Sequence, residues 1–203
     1  MRIVPWIPPL FRDRAAAGRV LAEGLEALAD GSVVVGVARG GVAVAAQVAL
    51  ALDAPLTAVD VERVNAGGRR LGATTASGPP YLLVPEEEVE DVVARARRDA
   101  ERLEARLEHE TLPVGGRVAL VVDDGAITGL TLAAACLWAH DVGAARVVAA
   151  VPLAHVDGLD RLGELADEVV CPHPLEQIAV VGQAYDSFDP LDEWYVASLL
   201  TER

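Results

Sequence analysis

Lysine does not occur in this sequence of 203 residues; every one of its 17 strongly basic side chains is arginine. That absence removes a phosphate-gripping P-loop, Schiff-base chemistry and a lysine general base together. Cysteine is scarce: Cys136 and Cys171 lie far apart in apolar surroundings, which reads as two buried, reduced and inert thiols. The four histidines, His109, His140, His155 and His173, form no i, i+4 pair with another ligand, so no zinc constellation is expected. Although 52% of the residues are hydrophobic, no apolar run approaches the roughly 18 residues of a membrane helix. The stretch MRIVPWIPPLFRDR sets prolines beside a short apolar piece and has no A-x-A cleavage pattern, so it does not read as a signal peptide. The expected location is the cytoplasm.

What the sequence has is acid. A net charge of −14 repels nucleic acid and anionic membrane surfaces, and neither is an expected partner. The balance reverses only between Glu62 and Tyr81, through Arg63, Arg69 and Arg70. On charge alone that segment reads as a solvated loop.

Strand-like and helical periodicities alternate. Ser32–Val37, Leu56–Val61, Tyr81–Val84, Arg117–Val122, Arg146–Val151 and Glu168–Cys171 read as strands. A helix is expected from about Asp13, and others over Val42–Leu52, Pro85–Glu110, Leu130–His140, Val156–Glu164 and Asp192–Leu200. The Gly-rich stretch over 62–80 reads as a long flexible loop or short β-arm. Near-continuous apolar strands alternating with helices predict an α/β fold: an open, mainly parallel sheet flanked by helices. No linker or repeat divides the chain, so one domain over 1–203 is expected, with an N-terminal helix region over 1–30 and a C-terminal segment from 172. Such sheets bind ligands at the carboxyl ends of their strands.

At one such end stands VVDDGAITGLT, in which an apolar strand stops at two adjacent acids, Asp123 and Asp124. A turn over Gly125–Gly129 then leads into a helix, so backbone N–H groups and the helix dipole converge on one point. Thr128 and Thr131 offer hydroxyls to the same point. A phosphate monoester suits that turn, and each carboxylate can accept a hydrogen bond from one hydroxyl of a diol. Together they describe ribose 5-phosphate.

This segment resembles the phosphoribosyl pyrophosphate (PRPP) signature of type I phosphoribosyltransferases. The resemblance implies that Asp123 and Asp124 bind the ribose hydroxyls, and that Gly125, Ala126, Ile127, Thr128, Gly129 and Thr131 surround the 5-phosphate. VVVGVARGGVAV is similar to the family's pyrophosphate loop, with Arg39, Gly40 and Gly41 at the matching positions; a guanidinium can grip two phosphate oxygens and glycine lets backbone approach closely. AVVGQAYDSFDP resembles a segment in which an acid helps bind magnesium and an aromatic stacks on the base. It implies Asp186 as a metal ligand beside Asp123 and Asp124, Tyr185 or Phe188 as base contacts, and a small C-terminal hood. Over its length the chain is most similar to small bacterial phosphoribosyltransferase-domain proteins, which open with F-R-D-R-x-x-A-G, here Phe11–Gly18.

The implied reaction is Mg2+-dependent transfer of the phosphoribosyl group of PRPP to a nitrogenous base, releasing pyrophosphate, for nucleotide salvage by a homodimer. Arg39 would hold pyrophosphate, Arg63 would add a second contact, and a loop carrying Arg69 and Arg70 would close over the site. Pro5, Trp6, Pro8 and Pro9 could pack on a second subunit. The departures fall on the base and pyrophosphate side: Ala38 replaces a usual Pro, Glu62-Arg63-Val64-Asn65 replaces Arg-Lys-Val-Gly, and Ile127 stands where 6-oxopurine enzymes place the general-base acid. The alternative is a non-catalytic PRPP- or nucleotide-binding regulatory module on the same fold.

Overall fold

The computed structural model describes residues 8–107 and 112–201. Asp13 caps the first helix, α1 (Arg14–Glu23), by accepting a 2.8 Å hydrogen bond from the Ala16 N–H. The elements β1 (Ser32–Ala38), α2 (Gly40–Leu52), β2 (Leu56–Ala66), β3 (Arg69–Thr75) and β4 (Tyr81–Leu82) follow. After α3 (Glu90–Leu107) come β5 (Val118–Val122), α4 (Leu130–Asp141), β6 (Arg146–Ala150), β7 (Leu153–His155) and α5 (Val156–Gly163). The chain then forms β8 (Glu168–Val170), β9 (His173–Leu175) and α6 (Glu193–Thr201).

A seven-stranded sheet runs in the order β4-β3-β2-β1-β5-β6-β8. Its five strands from β2 to β8 pair in parallel, and β3 and β4 extend one edge antiparallel. The parallel strands are valine-rich on both faces because both faces are covered. Val33, Val35, Val121 and Val147 pack with Leu132 and Trp138 of α4, while Val34, Leu120 and Val148 pack with Leu21 of α1 and Val48 of α2. A separate two-stranded ladder pairs β7 with β9. Burial pushes the Cys136 thiol up to about 12 and the Cys171 thiol up to about 11, which leaves both unreactive at neutral pH.

Four expectations change. Residues 62–75 are not a flexible loop: β2 runs on to Ala66 and turns at Gly67–Gly68 into β3, with Val64 and Leu71 buried under Val89, Val93 and Ala96. The β-arm reading matches this hairpin. The helix expected from Pro85 starts at Glu90, because Val89 leaves helical geometry (φ −137°, ψ 14°) to enter that same cluster. The helix expected from about Asp13 along FRDRAAAGRVLAEGLEALAD, which ends at Asp30, stops at Glu23. The short strands β7 and β9 were not expected, and α6 lies on the central sheet, with Val196 packed against Val42 and Ala58. His109, Pro5 and Trp6 lie outside the described residues.

Candidate active site

The register fixes the site before any side chain is considered. Gly36 of β1 lies beside Val122, the last residue of β5, so the two strands end together. Arg39 and the acid pair therefore emerge at the same edge. The first turn of α2 then passes so close to the pair that no side chain fits. A methyl group at Gly40 would overlap Asp124 Oδ2, and one at Gly41 would come within 2.6 Å of the Val122 carbonyl and 2.9 Å of Asp123 Cα. Gly41 does not line the cleft; its role is to let α2 pack against the acid pair.

A cleft of ≈ 860 Å³ opens there, within the range of about 300–1,000 Å³ usual for small-ligand sites. Arg39, Gly40, Arg63, Asp123 and Asp124 line it, as do Gly125 through Gly129, Thr131 and Phe188. The turn behind the acids is braced from α5. Gly129 has φ 70°, and a Cβ on it would meet the Gly158 carbonyl at 2.8 Å, while a Cβ on Gly158 would meet the Ile127 carbonyl at 2.9 Å. The Ala126 N–H is spent on the Leu153 carbonyl at 3.1 Å, and Arg161 donates to the Thr128 carbonyl. Among the described residues, the N–H groups of Ile127, Thr128 and Gly129 meet no protein acceptor. Three donors are thus left without a protein partner at the head of α4, where the helix dipole favours an anion.

Gly129→Ala should hurt in two ways, through a left-handed conformation that costs about 1–2 kcal/mol outside glycine and through contact with the Gly158 backbone. The expected result is a thermal midpoint lower by about 2–4 °C per kcal/mol, together with weaker phosphate binding, read by thermal melts with and without ligand.

The acid pair is not left bare. Arg14, the first residue of α1, donates from Nε to Asp124 Oδ2 at 2.9 Å, with the two side chains only 12% and 14% exposed. Its guanidinium also lies 3.8 Å over the Phe188 ring and donates to the Asp189 carbonyl at 3.0 Å. The Asp124 N–H donates to Asp123 Oδ1 at 2.8 Å. Burial raises both carboxyls; the neighbouring Asp124 charge raises Asp123 further, to about 8, while the Arg14 hydrogen bond opposes the rise at Asp124. The two carboxyls therefore titrate as one coupled pair, the first proton binding above the usual carboxylate range. Arg14 was missed in the sequence, although the F-R-D-R segment held the signal.

The cationic wall is the hairpin. Arg63 on β2 and Arg70 on β3 both line the cleft, and among the described residues neither has a carboxylate ion pair. Burial and the nearby Arg63 charge lower Arg70. Two close, unpaired guanidiniums favour a multivalent anion. Arg70 reaches the cleft from a paired strand, with Asn65 opposite it in the register, rather than from a closing loop.

Two expected contacts are not brought together with the rest. Tyr185 is buried against Phe11 and Phe188, and its hydroxyl donates to the Asp124 carbonyl at 2.6 Å, so it holds the acid segment in place and does not face the cleft. Asp186 is exposed and outside the cleft, its N–H tied to the Phe11 carbonyl. Among the described residues, no cluster of three or more acid, His or Cys side chains is arranged to hold a metal ion. No helix among them is long and apolar enough to cross a membrane.

A curled, mostly parallel sheet carrying an acid pair, a glycine-bounded turn and a cationic wall at one edge is the arrangement of a phosphoribosyltransferase fold. The chain belongs to the phosphoribosyl transferase domain family, whose model matches residues 14–187. It is 38% identical over 207 aligned residues to the Mycobacterium tuberculosis proteins Rv0571c and MT0597, both provisionally named phosphoribosyl transferases. That alignment covers 94% of this chain and 46% of each relative, so the chain spans about half the length of the curated relatives it matches. Among solved structures, TT1426 from Thermus thermophilus is similar at 35% identity and TM-score 0.83, covering 95% of this chain and 98% of that one. A Neisseria gonorrhoeae protein crystallised with bound ppGpp shares the fold alone, at 15% identity and TM-score 0.54, covering 100% of this chain and 98% of that one.

Proposed function

We propose that the chain transfers the 5-phosphoribosyl group of PRPP to a nitrogenous base and releases pyrophosphate, in the service of nucleotide salvage. One observation carries the reading: a single cleft gathers three unspent turn amides, an acid pair and the cationic hairpin. In this reading Ile127, Thr128 and Gly129 donate to the 5-phosphate, and Thr131 adds a hydroxyl. Asp123 and Asp124 accept from the ribose hydroxyls, which Arg14 favours by opposing the rise that burial imposes on the Asp124 carboxyl. The bond from C1 to the departing pyrophosphate oxygen breaks as C1 bonds to the ring nitrogen of the base, and Arg39, Arg63 and Arg70 take up the charge that accumulates on pyrophosphate. Phe188 offers the base a flat apolar face. Ile127 supplies no general base, so the base enters as its anion or loses its proton to solvent.

The donor set suits Mg2+: Asp123 and Asp124 give hard oxygens, and this ion commonly takes one or two carboxylates with the remaining ligands from substrate phosphate and water. When bound, it supplies positive charge to the leaving group.

The test incubates the protein with PRPP, magnesium and a panel of purines, pyrimidines and orotate. Pyrophosphate release with at least one base is the expected result. PRPP binding without release across the panel points instead to a non-catalytic nucleotide-binding module, a reading favoured by Ile127 and Glu62 in the cleft wall. Failure to bind PRPP at all overturns both.

A further inference from the structure

Asp60 is buried to 3% exposure on β2, and neither of its carboxyl oxygens has a hydrogen-bond partner among the described residues. A buried polar group of this kind carries a desolvation cost and calls for a reason. Its position supplies one. In the parallel register Asp60 lies beside Ala38, the residue before Arg39, so it sits beneath the start of the arginine-bearing turn. Charge reaches it from several sides. Glu62 follows on the same strand, Glu104 comes from α3, Glu193 from α6 and Arg39 from the turn. Arg39 is the cation whose charge acts most strongly on Asp60 among the described residues, and it is shared: it lies 3.7 Å from Glu193, which also pairs with Arg106 at 3.1 Å. Burial first, then Glu104 and Glu62, push the Asp60 carboxyl up to about 7, and the Arg39 charge opposes this.

We propose that Asp60 is a positioning residue of the pyrophosphate subsite, which draws Arg39 inward while ionised and releases it to a bound diphosphate when it takes up a proton. The inference rests on the assignment of pyrophosphate to Arg39 made above. The direction follows from charge. When Arg39 turns toward a diphosphate, Asp60 loses a cation that favours its ionised form and keeps the carboxylates of Glu104, Glu62 and Glu193 that disfavour it. The carboxyl then binds a proton from solvent, so diphosphate binding is linked to proton uptake and weakens as pH rises through neutrality. The effect is opposite in sign to that at Asp123, where ligation of hydroxyls or a cation favours the ionised form, and pyrophosphate alone carries no ribose to engage that group.

The experiment measures binding of inorganic pyrophosphate to the wild-type protein and to Asp60→Asn, by calorimetry at pH 6.5 and 8.0 in buffers of differing ionisation enthalpy. Wild type should take up more protons per bound pyrophosphate than the variant. Its affinity should fall about fivefold more across that interval, within the tenfold per pH unit that one linked proton allows. Glu193→Gln, which frees Arg39 from its other partner, should tighten binding and keep the pH dependence. Equal proton numbers and parallel pH profiles for wild type and Asp60→Asn overturn the inference while leaving the pyrophosphate subsite standing. No pyrophosphate binding by either protein at either pH overturns both. Should Asp60→Asn fail to fold, carboxyl carbon resonances of the wild type give the same answer: the Asp60 midpoint rises on adding pyrophosphate, and an unmoved midpoint rejects the proposal.

Discussion

Changing both Asp123 and Asp124 to Asn is expected to abolish magnesium-dependent PRPP binding in calorimetry. Asn keeps the volume and one acceptor oxygen but surrenders the charge. Each hydrogen bond to a charged group contributes about 1.5–3 kcal/mol, so losing two weakens binding by roughly 10²–10⁴-fold. One part of the change favours the fold, because the site stores unfavourable charge at Asp123. Burial and mutual repulsion raise Asp123, so the native chain holds a proton that the unfolded chain releases. Native stability at this group is therefore fully present below the ordinary carboxylate range and is lost as pH rises from about 4 toward about 8. The double Asn variant lacks this slope, and because it also leaves the Arg14 guanidinium without its carboxylate, its melt is measured beside the binding. PRPP binding equal to wild type would remove the acid pair from the ligand site.

Arg14→Leu is expected to be the most destabilising single change at the site. It removes the cation bonded to Asp124, the contact over Phe188 and the hydrogen bond to the Asp189 carbonyl at once. Breaking a buried ion pair from one side typically costs about 3–5 kcal/mol, because the remaining charge has no compensation. The thermal midpoint should fall by about 10 °C at pH 8, and by less at pH 5, where Asp124 can accept a proton. The companion Arg14→Leu/Asp124→Asn protein should recover much of the loss, since neither charge is then stranded. Urea melts placing Arg14→Leu within about 1 kcal/mol of wild type would show that the pair does not hold the two segments together.

What was legible in the sequence was local or periodic. The valine runs that became β1 and β5 are buried on both faces, so burial wrote them as unbroken apolar strings. The acid pair and its turn lie within one contiguous segment, and their chemistry could be read along the chain. Arg14 could not be placed in that way, because its partner is 110 residues away and only the packing of α1 beside the sheet brings them together. Nothing in the Leu56–Val61 run marks Asp60 out; that its carboxyl has no hydrogen-bond partner among the described residues is a property of what surrounds it. The hairpin was obscured by glycines at its turn, which weaken strand patterning where the chain reverses. Tyr185 shows the reverse error, an aromatic beside a motif whose ring faces inward and whose hydroxyl braces the backbone.

The reach of Arg14 has a consequence for how the molecule opens. One guanidinium touches the segment after β5 and the Phe188–Asp189 stretch, while the backbone of Phe11 and Arg12 bonds that of Asp186 and Ser187. The beginning and the end of the family-matched region are therefore sewn to each other across the cleft. Amide exchange in α1 and in the 184–189 stretch should then share a single opening event, and a ligand that secures either one slows both.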